Sequence, residues 1–349
     1  MPRIKRFIEC LIPVTACNLH CSYCYIVQEN RRDGKFPEFR YDVRTITTAL
    51  SEKRLGGCSY ISICGAGETL IPKEIVEITQ SLLAEGHYVN LTTNGTQTER
   101  FNELIDISKE QSSRLHFAFS FHYLELKKNH LLKVFFENIK RVRKAGCSFV
   151  LQMNMSDEYI PYIDKIIKLC VREVGAPPQL AITRTSGSLP TKLFTKLSAE
   201  KYYKLGTKFK SPLFDFTFKN FQVKRNEYCY AGKWSGVLNL ATGELRRCYS
   251  DSFPQNIFED TSKPIEFKAM GKECMCSYCI NSSHFMSLGV IPFLKTPSYA
   301  DLRDRPEAEW YSPKMKKFLS GKLIKSNFNL SLLSDLLKQF SVYMKEHLI

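Results

Sequence analysis

The chain has 349 residues, 44% of them hydrophobic, which is enough to bury a sizeable core. No apolar run reaches the roughly 18–20 residues of a membrane span, and no signal-peptide core follows the basic start, so a cytoplasmic protein is expected. A net charge of +15, from 50 Lys plus Arg against 35 Asp plus Glu, favours anionic partners, but the basic residues are dispersed and form no nucleic-acid arm.

In chain order, Phe7–Val14 reads as a first strand, broken in its apolar character by Glu9. Tyr60–Cys64, Tyr88–Thr92, Leu115–Phe121, Phe149–Met153 and Leu180–Thr183 read as five more, apolar and β-branched as strands buried on both faces tend to be. Helical patterns lie between them at 43–53, 73–83, 98–108, 131–144 and 159–172. From the second strand on, the starts at 60, 88, 115, 149 and 180 repeat at strand–helix–strand length. Right-handed crossovers of this kind give either a barrel or an open doubly wound sheet. Gly187 and Pro190 end the repeat; residues 191–225 are rich in lysine and phenylalanine without clear punctuation; a cysteine-bearing segment follows. The tail reads as helical from Pro313 to Ile349, amphipathic over Leu330–Leu337, and Asp301-Leu302-Arg303-Asp304-Arg305 reads as an ion-paired surface turn.

Thirteen cysteines in a reducing compartment point to metal or redox chemistry rather than to disulfides. Cys10, Cys58, Cys64, Cys147 and Cys170 are scattered and read as small buried hydrophobes. Cys17, Cys21 and Cys24 fall within eight residues just past the first strand, at the strand end where ligands collect in α/β proteins. A structural zinc site or an electron-transfer 4Fe–4S cluster wants four ligands, with His20 the one other candidate nearby; three thiols leave one iron open.

The run Cys17-Asn18-Leu19-His20-Cys21-Ser22-Tyr23-Cys24, Cys-x3-Cys-x2-Cys with an aromatic before the last cysteine, resembles the radical S-adenosylmethionine (radical SAM) superfamily over about residues 7–185. The resemblance implies a six-stranded partial βα barrel. It also implies a 4Fe–4S cluster on Cys17, Cys21 and Cys24, whose open iron binds S-adenosylmethionine and yields a 5′-deoxyadenosyl radical that abstracts a substrate hydrogen. Tyr23 would lie against the adenine. Gly65-Ala66-Gly67-Glu68 looks like the family's Gly-Gly-Glu motif for the methionine ammonium, with Ala66 where a glycine is usual and Thr69 where proline is common. Thr93 and Asn94 match a Thr-Asn-Gly after the third strand; Ser120, Asn154 and Arg184 end the next three strands as candidate ribose or carboxylate contacts. His122 is a candidate general base.

The second cysteine group reads Cys229-x13-Gly243-x4-Cys248, with a hairpin over 237–243 that brings the two cysteines together, then Cys274-Met275-Cys276-Ser277-Tyr278-Cys279. It resembles the SPASM or twitch extension of the same superfamily, which implies one auxiliary 4Fe–4S cluster; a zinc ribbon is the structural alternative. Cys229, Cys248, Cys276 and Cys279 are taken as ligands, with Cys274 competing for the place of Cys276 or serving as a hydrogen-atom donor to a substrate radical. The expected layout is a barrel over 1–190, a connector over 191–225, the auxiliary domain over 226–290 and a helical tail over 291–349 that packs on the barrel. A peptide-binding domain ahead of the barrel is not expected, since strand one starts by Phe7. The expected activity is hydrogen abstraction from a polar substrate, a sugar or glycan precursor ahead of a peptide, to oxidise or epimerise it. An external one-electron reductant of flavodoxin or ferredoxin type is required. A peptide maturase and a non-catalytic iron–sulfur redox protein are the alternatives, and RNA is a partner suggested by charge alone.

Overall fold

The computed structural model describes residues 2–187, 191–276, 278–292, 294–327 and 337. The six expected strands form within two residues of their expected bounds: β1 (Phe7–Ile12), β2 (Tyr60–Gly65), β3 (Tyr88–Thr93), β4 (Leu115–Ser120), β5 (Ser148–Met155) and β6 (Gln179–Ile182). All pair in parallel with their sequence neighbours. Helices Glu74–Ala84, Thr98–Ile105, Leu132–Lys144 and Ile163–Val174 fill the crossovers. The expected 43–53 helix divides into Val43–Ala49 and Glu52–Leu55. The sheet continues past β1 with β7 (Ser235–Asn239), β8 (Glu244–Arg246) and β9 (Gln255–Asn256), in the order β6-β5-β4-β3-β2-β1-β7-β8-β9. The cysteine-rich segment therefore starts inside the main sheet: β7 lies parallel to β1, with Glu9 opposite Val237.

The strands are not apolar on both faces. On β4, Phe117 and Phe119 meet Phe101 and Phe135 of the helices, so the alternate residues His116, Ala118 and Ser120 face inward. Register carries that inner face across the sheet: Glu9, Ser62, Asn90, His116 and Ser148 stand side by side. This lower tier is buried. The tier above it, with Leu11, Cys64, Thr92, Ala118, Ser120, Gln152 and Asn154, is half-buried, so the interior opens toward the strands' C-terminal ends. A continuous outer face of Ile, Val, Leu and Phe masks this polar alternation in a hydropathy reading.

Residues 191–225 do hold structure: helices Ala199–Gly206 and Pro212–Asn220. Their N-caps Ser198 and Ser211, the latter before a proline at the first helical position, are signals that the lysine- and phenylalanine-rich composition hides. Of the expected surface turn at 301–305, Asp301 is exposed and caps a helix with Ser298, while Leu302, Arg303, Asp304 and Arg305 are buried. Arg303, 2% exposed, donates to the Ser283 carbonyl (2.9 Å) and lies over the Tyr299 ring. Arg305 donates to the carbonyls of Phe209 and Lys210, and Asp304 pairs with Lys316 at 3.1 Å. These residues seal the lower barrel instead of decorating it. Of the expected tail helix, Pro313–Leu319 and Ile324–Asn327 form; the Leu330–Leu337 pattern lies outside the described residues but for Leu337. Among the described residues no helix is long and apolar enough to cross a membrane.

Four histidines are held neutral by burial: His87 and His284 are lowered, His116 is lowered to about 3 and His122 to about 4. The unfolded chain binds these protons near pH 6.5 and the folded chain refuses them until lower pH, so this stabilisation is complete above pH 6.5 and is lost on acidification. Glu9, raised to about 7 by burial, and Glu68, also raised by burial, act with the opposite sign above about pH 4.5, but two carboxyls are outweighed by four imidazoles. The melting temperature should fall steadily from pH 7 to 5, and His116→Gln should flatten that slope; a flat wild-type profile would refute the assignment.

Candidate active site

The loop after β1 carries Cys17, Cys21 and Cys24, and chain contacts shape it without help from the thiols. The Thr15 and Ala16 amides donate to the Lys35 carbonyl, Cys24 N donates to Cys21 O, and Arg32 donates to the carbonyls of Cys17 (2.7 Å) and Leu19. The three thiols are neighbours, since charge on Cys17 or Cys24 opposes ionisation of Cys21. Burial drives the Cys17 and Cys21 thiols upward, which favours the neutral form until a cation binds. Among the described residues no three His, Cys, Asp or Glu side chains converge tightly enough for a single ion. The sulfurs around a four-iron cubane stand wider apart than those around one zinc, and three thiols on one short loop suit that wider frame with a corner left open.

The Gly-x-Gly-Glu segment continues the β1–β2 ladder past the strands. Ala66, Gly67 and Glu68 donate their amides to Ile12, Val14 and Ala16. Gly67 is glycine because a Cβ there would stand 2.2 Å from the Ala16 carbonyl oxygen; at Gly65 it would stand 2.7 Å from Val14. The close backbone approach is thus to the cysteine loop itself. Glu68, expected to meet a ligand ammonium, is 2% exposed and accepts from Thr93 Oγ1 (2.6 Å), Asn94 N (2.7 Å) and Leu70 N (3.0 Å). Burial raises its carboxyl and these donors counter the rise. Asn94 in turn donates to Asn18 Oδ1 (2.8 Å) and to the Cys17 sulfur (3.6 Å). Glu68, Thr93 and Asn94 therefore form one relay that braces the first cysteine.

Tyr23 is buried, and its hydroxyl shares hydrogen bonds of 2.7 Å with His122 Nδ1 and the Tyr159 hydroxyl. Burial lowers His122 to about 4, so its ring is neutral at pH 7 with one nitrogen engaged by Tyr23. The exposed aromatic beside Cys24 is Tyr25, a residue that the sequence reading passed over. Ser120 and Asn154 lie on the half-open inner face. Arg184 reaches instead toward the second cysteine group, donating to the Ile280 carbonyl (2.9 Å) and the Tyr278 hydroxyl (3.3 Å).

In that second group the β7–β8 hairpin forms, and Cys229 pairs with Gly271 through two backbone bonds. Charge on Cys229, Cys248 or Cys274 opposes ionisation of Cys279, charge on Cys248 or Cys274 opposes that of Cys229, and charge on Cys274 opposes that of Cys248. Cys276 is set to one side, against Cys274 and Ser250. Charge on Cys274 is thus felt at Cys229, Cys248 and Cys279 as well as at Cys276.

Residues 11–170 match the family model of the Radical SAM superfamily. Residues 11–170 therefore form a radical SAM domain. A radical SAM domain implies a 4Fe–4S cluster and S-adenosylmethionine. The fold is similar to that of Streptococcus suis SuiB bound to S-adenosylmethionine, at TM-score 0.53 and 15% identity, covering 74% of this chain and 64% of SuiB. SuiB bound to its precursor peptide SuiA matches at TM-score 0.52 and 14% identity, over 74% of this chain and 63% of that one. anSMEcpe with bound AdoMet matches at TM-score 0.52 and 15% identity, over 73% and 76%. The chain spans a little under two thirds of the length of the SuiB structures.

Proposed function

We propose that this chain is a radical SAM enzyme acting on a polar biosynthetic substrate held in the half-open barrel interior. One observation carries the reading: a three-thiol loop stands at the C-terminal mouth of a sheet whose inner face is polar and partly open just below it. The reduced cluster with S-adenosylmethionine supplies a hydrogen-abstracting 5′-deoxyadenosyl radical. The chain's own work is to brace Cys17 through Asn94, to orient substrate with Ser120, Gln152 and Asn154, and to exclude quenching water. These groups are neutral hydrogen-bonders, a match for hydroxyl- or amide-rich compounds. A sugar or glycan precursor is the first reading, with oxidation or epimerisation as the outcome and a flavodoxin- or ferredoxin-type reductant. A peptide is the second, favoured by the likeness to SuiB bound to SuiA. Thirteen free thiols suit a reducing, cytoplasmic setting.

Cys229, Cys248, Cys274 and Cys279 are proposed as ligands of one auxiliary 4Fe–4S cluster, with Cys276 the spare thiol and candidate hydrogen donor. Reconstituted protein should hold about eight irons per chain. With dithionite and S-adenosylmethionine it should form 5′-deoxyadenosine, faster when the right sugar or peptide is added. Zinc in place of iron, or no 5′-deoxyadenosine with any candidate, would sink the proposal. Cys274→Ala should lose about four irons and Cys276→Ala none; the reverse pattern would return the ligand role to Cys276.

A further inference from the structure

Glu9 is a carboxyl group in the middle of a central strand, 6% exposed, where burial without partners is costly. Its strand neighbours Ser62 and Val237 do not explain it. Its partners come from the cysteine-rich half of the chain. Asn281 Nδ2 donates to Oε2 at 2.6 Å, the Tyr249 hydroxyl donates to the same carboxyl, and Arg303 supplies a positive field. Tyr249 directly follows Cys248, and Asn281 lies two residues beyond Cys279. Asn281 is fixed from its other end, since its Oδ1 takes a 2.6 Å hydrogen bond from His284 Nδ1, and His284 stacks on Phe7 of β1.

We infer that Glu9 is a positioning residue for the auxiliary site: by gripping Tyr249 and Asn281 it fixes Cys248 and Cys279 on the strand that also leads into Cys17. One strand thereby sets both cysteine groups in a common frame, and Glu9 forms the floor between the open upper tier and the auxiliary arms. The inference rests on the auxiliary-cluster reading above. Gln at this position keeps an oxygen for Asn281 and an amide for the Tyr249 oxygen, whereas Ala keeps neither.

The test is iron and sulfide content with EPR of the reconstituted full chain. Glu9→Ala should fall from about eight irons to about four, losing the auxiliary signal while the first cluster still responds to S-adenosylmethionine; Glu9→Gln should keep about eight. Tyr249→Phe combined with Asn281→Ala should reproduce the Glu9→Ala loss, and it decides the matter if Glu9→Ala does not fold. An unchanged auxiliary signal in either variant, or equal loss from both clusters, overturns the role. Wild-type protein with about four irons would instead overturn the auxiliary reading, and the role of Glu9 falls with it.

Discussion

Alanine at Cys17, Cys21 and Cys24 together is expected to bring 5′-deoxyadenosine formation to background and to remove about four of about eight irons, leaving the folded chain intact. The loss is complete because each thiolate is a ligand and no other cysteine shares the loop. The fold survives because the loop is held by Arg32, Lys35 and the Gly67–Glu68 backbone rather than by sulfur. Cys21 is the most buried of the three, so its truncation should account for most of any stability loss, of order 1 kcal/mol for one small group. Iron analysis, mass spectrometry of the nucleoside product and circular dichroism read the three outcomes separately. Retained turnover would remove the three-thiol loop from the chemistry.

Gly67→Ala is expected to be strongly damaging for a single added methyl, costing about 3 kcal/mol or more. The added Cβ would meet the Ala16 oxygen at 2.2 Å and the carbonyl carbons of Thr15 and Ala16 at 2.9 Å. These are backbone atoms, so no rotamer change relieves the clash. Relief requires moving the strand that leads into Cys17 and breaking the Gly67 N–Val14 O and Glu68 N–Ala16 O bonds. The first cluster's iron should fall with stability, while the auxiliary iron follows only if the whole sheet unfolds. Ala66→Gly restores the family's usual residue, and its cost is limited to about 1 kcal/mol of backbone entropy. Urea denaturation of the two variants side by side separates crowding from entropy. Equal stability would mean that the loop yields freely.

What the amino-acid sequence determined alone is local. Cys-x3-Cys-x2-Cys closes within eight residues, and strand–helix alternation repeats along the chain, so the three-thiol loop, six strands and four of the crossover helices were legible. The β7–β8 hairpin was legible from Thr242-Gly243, because Gly243 takes a positive φ at the turn. Tertiary structure decided whatever depends on partners distant in the chain. Glu68 reads from its neighbours as the end of a Gly-rich turn, and only the fold brings Thr93 and Asn94, some 25 residues on, to donate to its carboxylate. Asp301–Arg305 reads as a solvated charge run until burial of Arg303 and Arg305 against Phe209, Lys210 and Ser283 makes its second half a seal. Cys274 and Cys276 are two residues apart, too close for sequence to rank them, and the pairing of Gly271 with Cys229 is what brings their segment beside the first arm. Glu9 meets Asn281 across 272 residues, and only the pairing of β7 with β1 brings them together, because a buried carboxyl takes its meaning from the donors that desolvation obliges it to find.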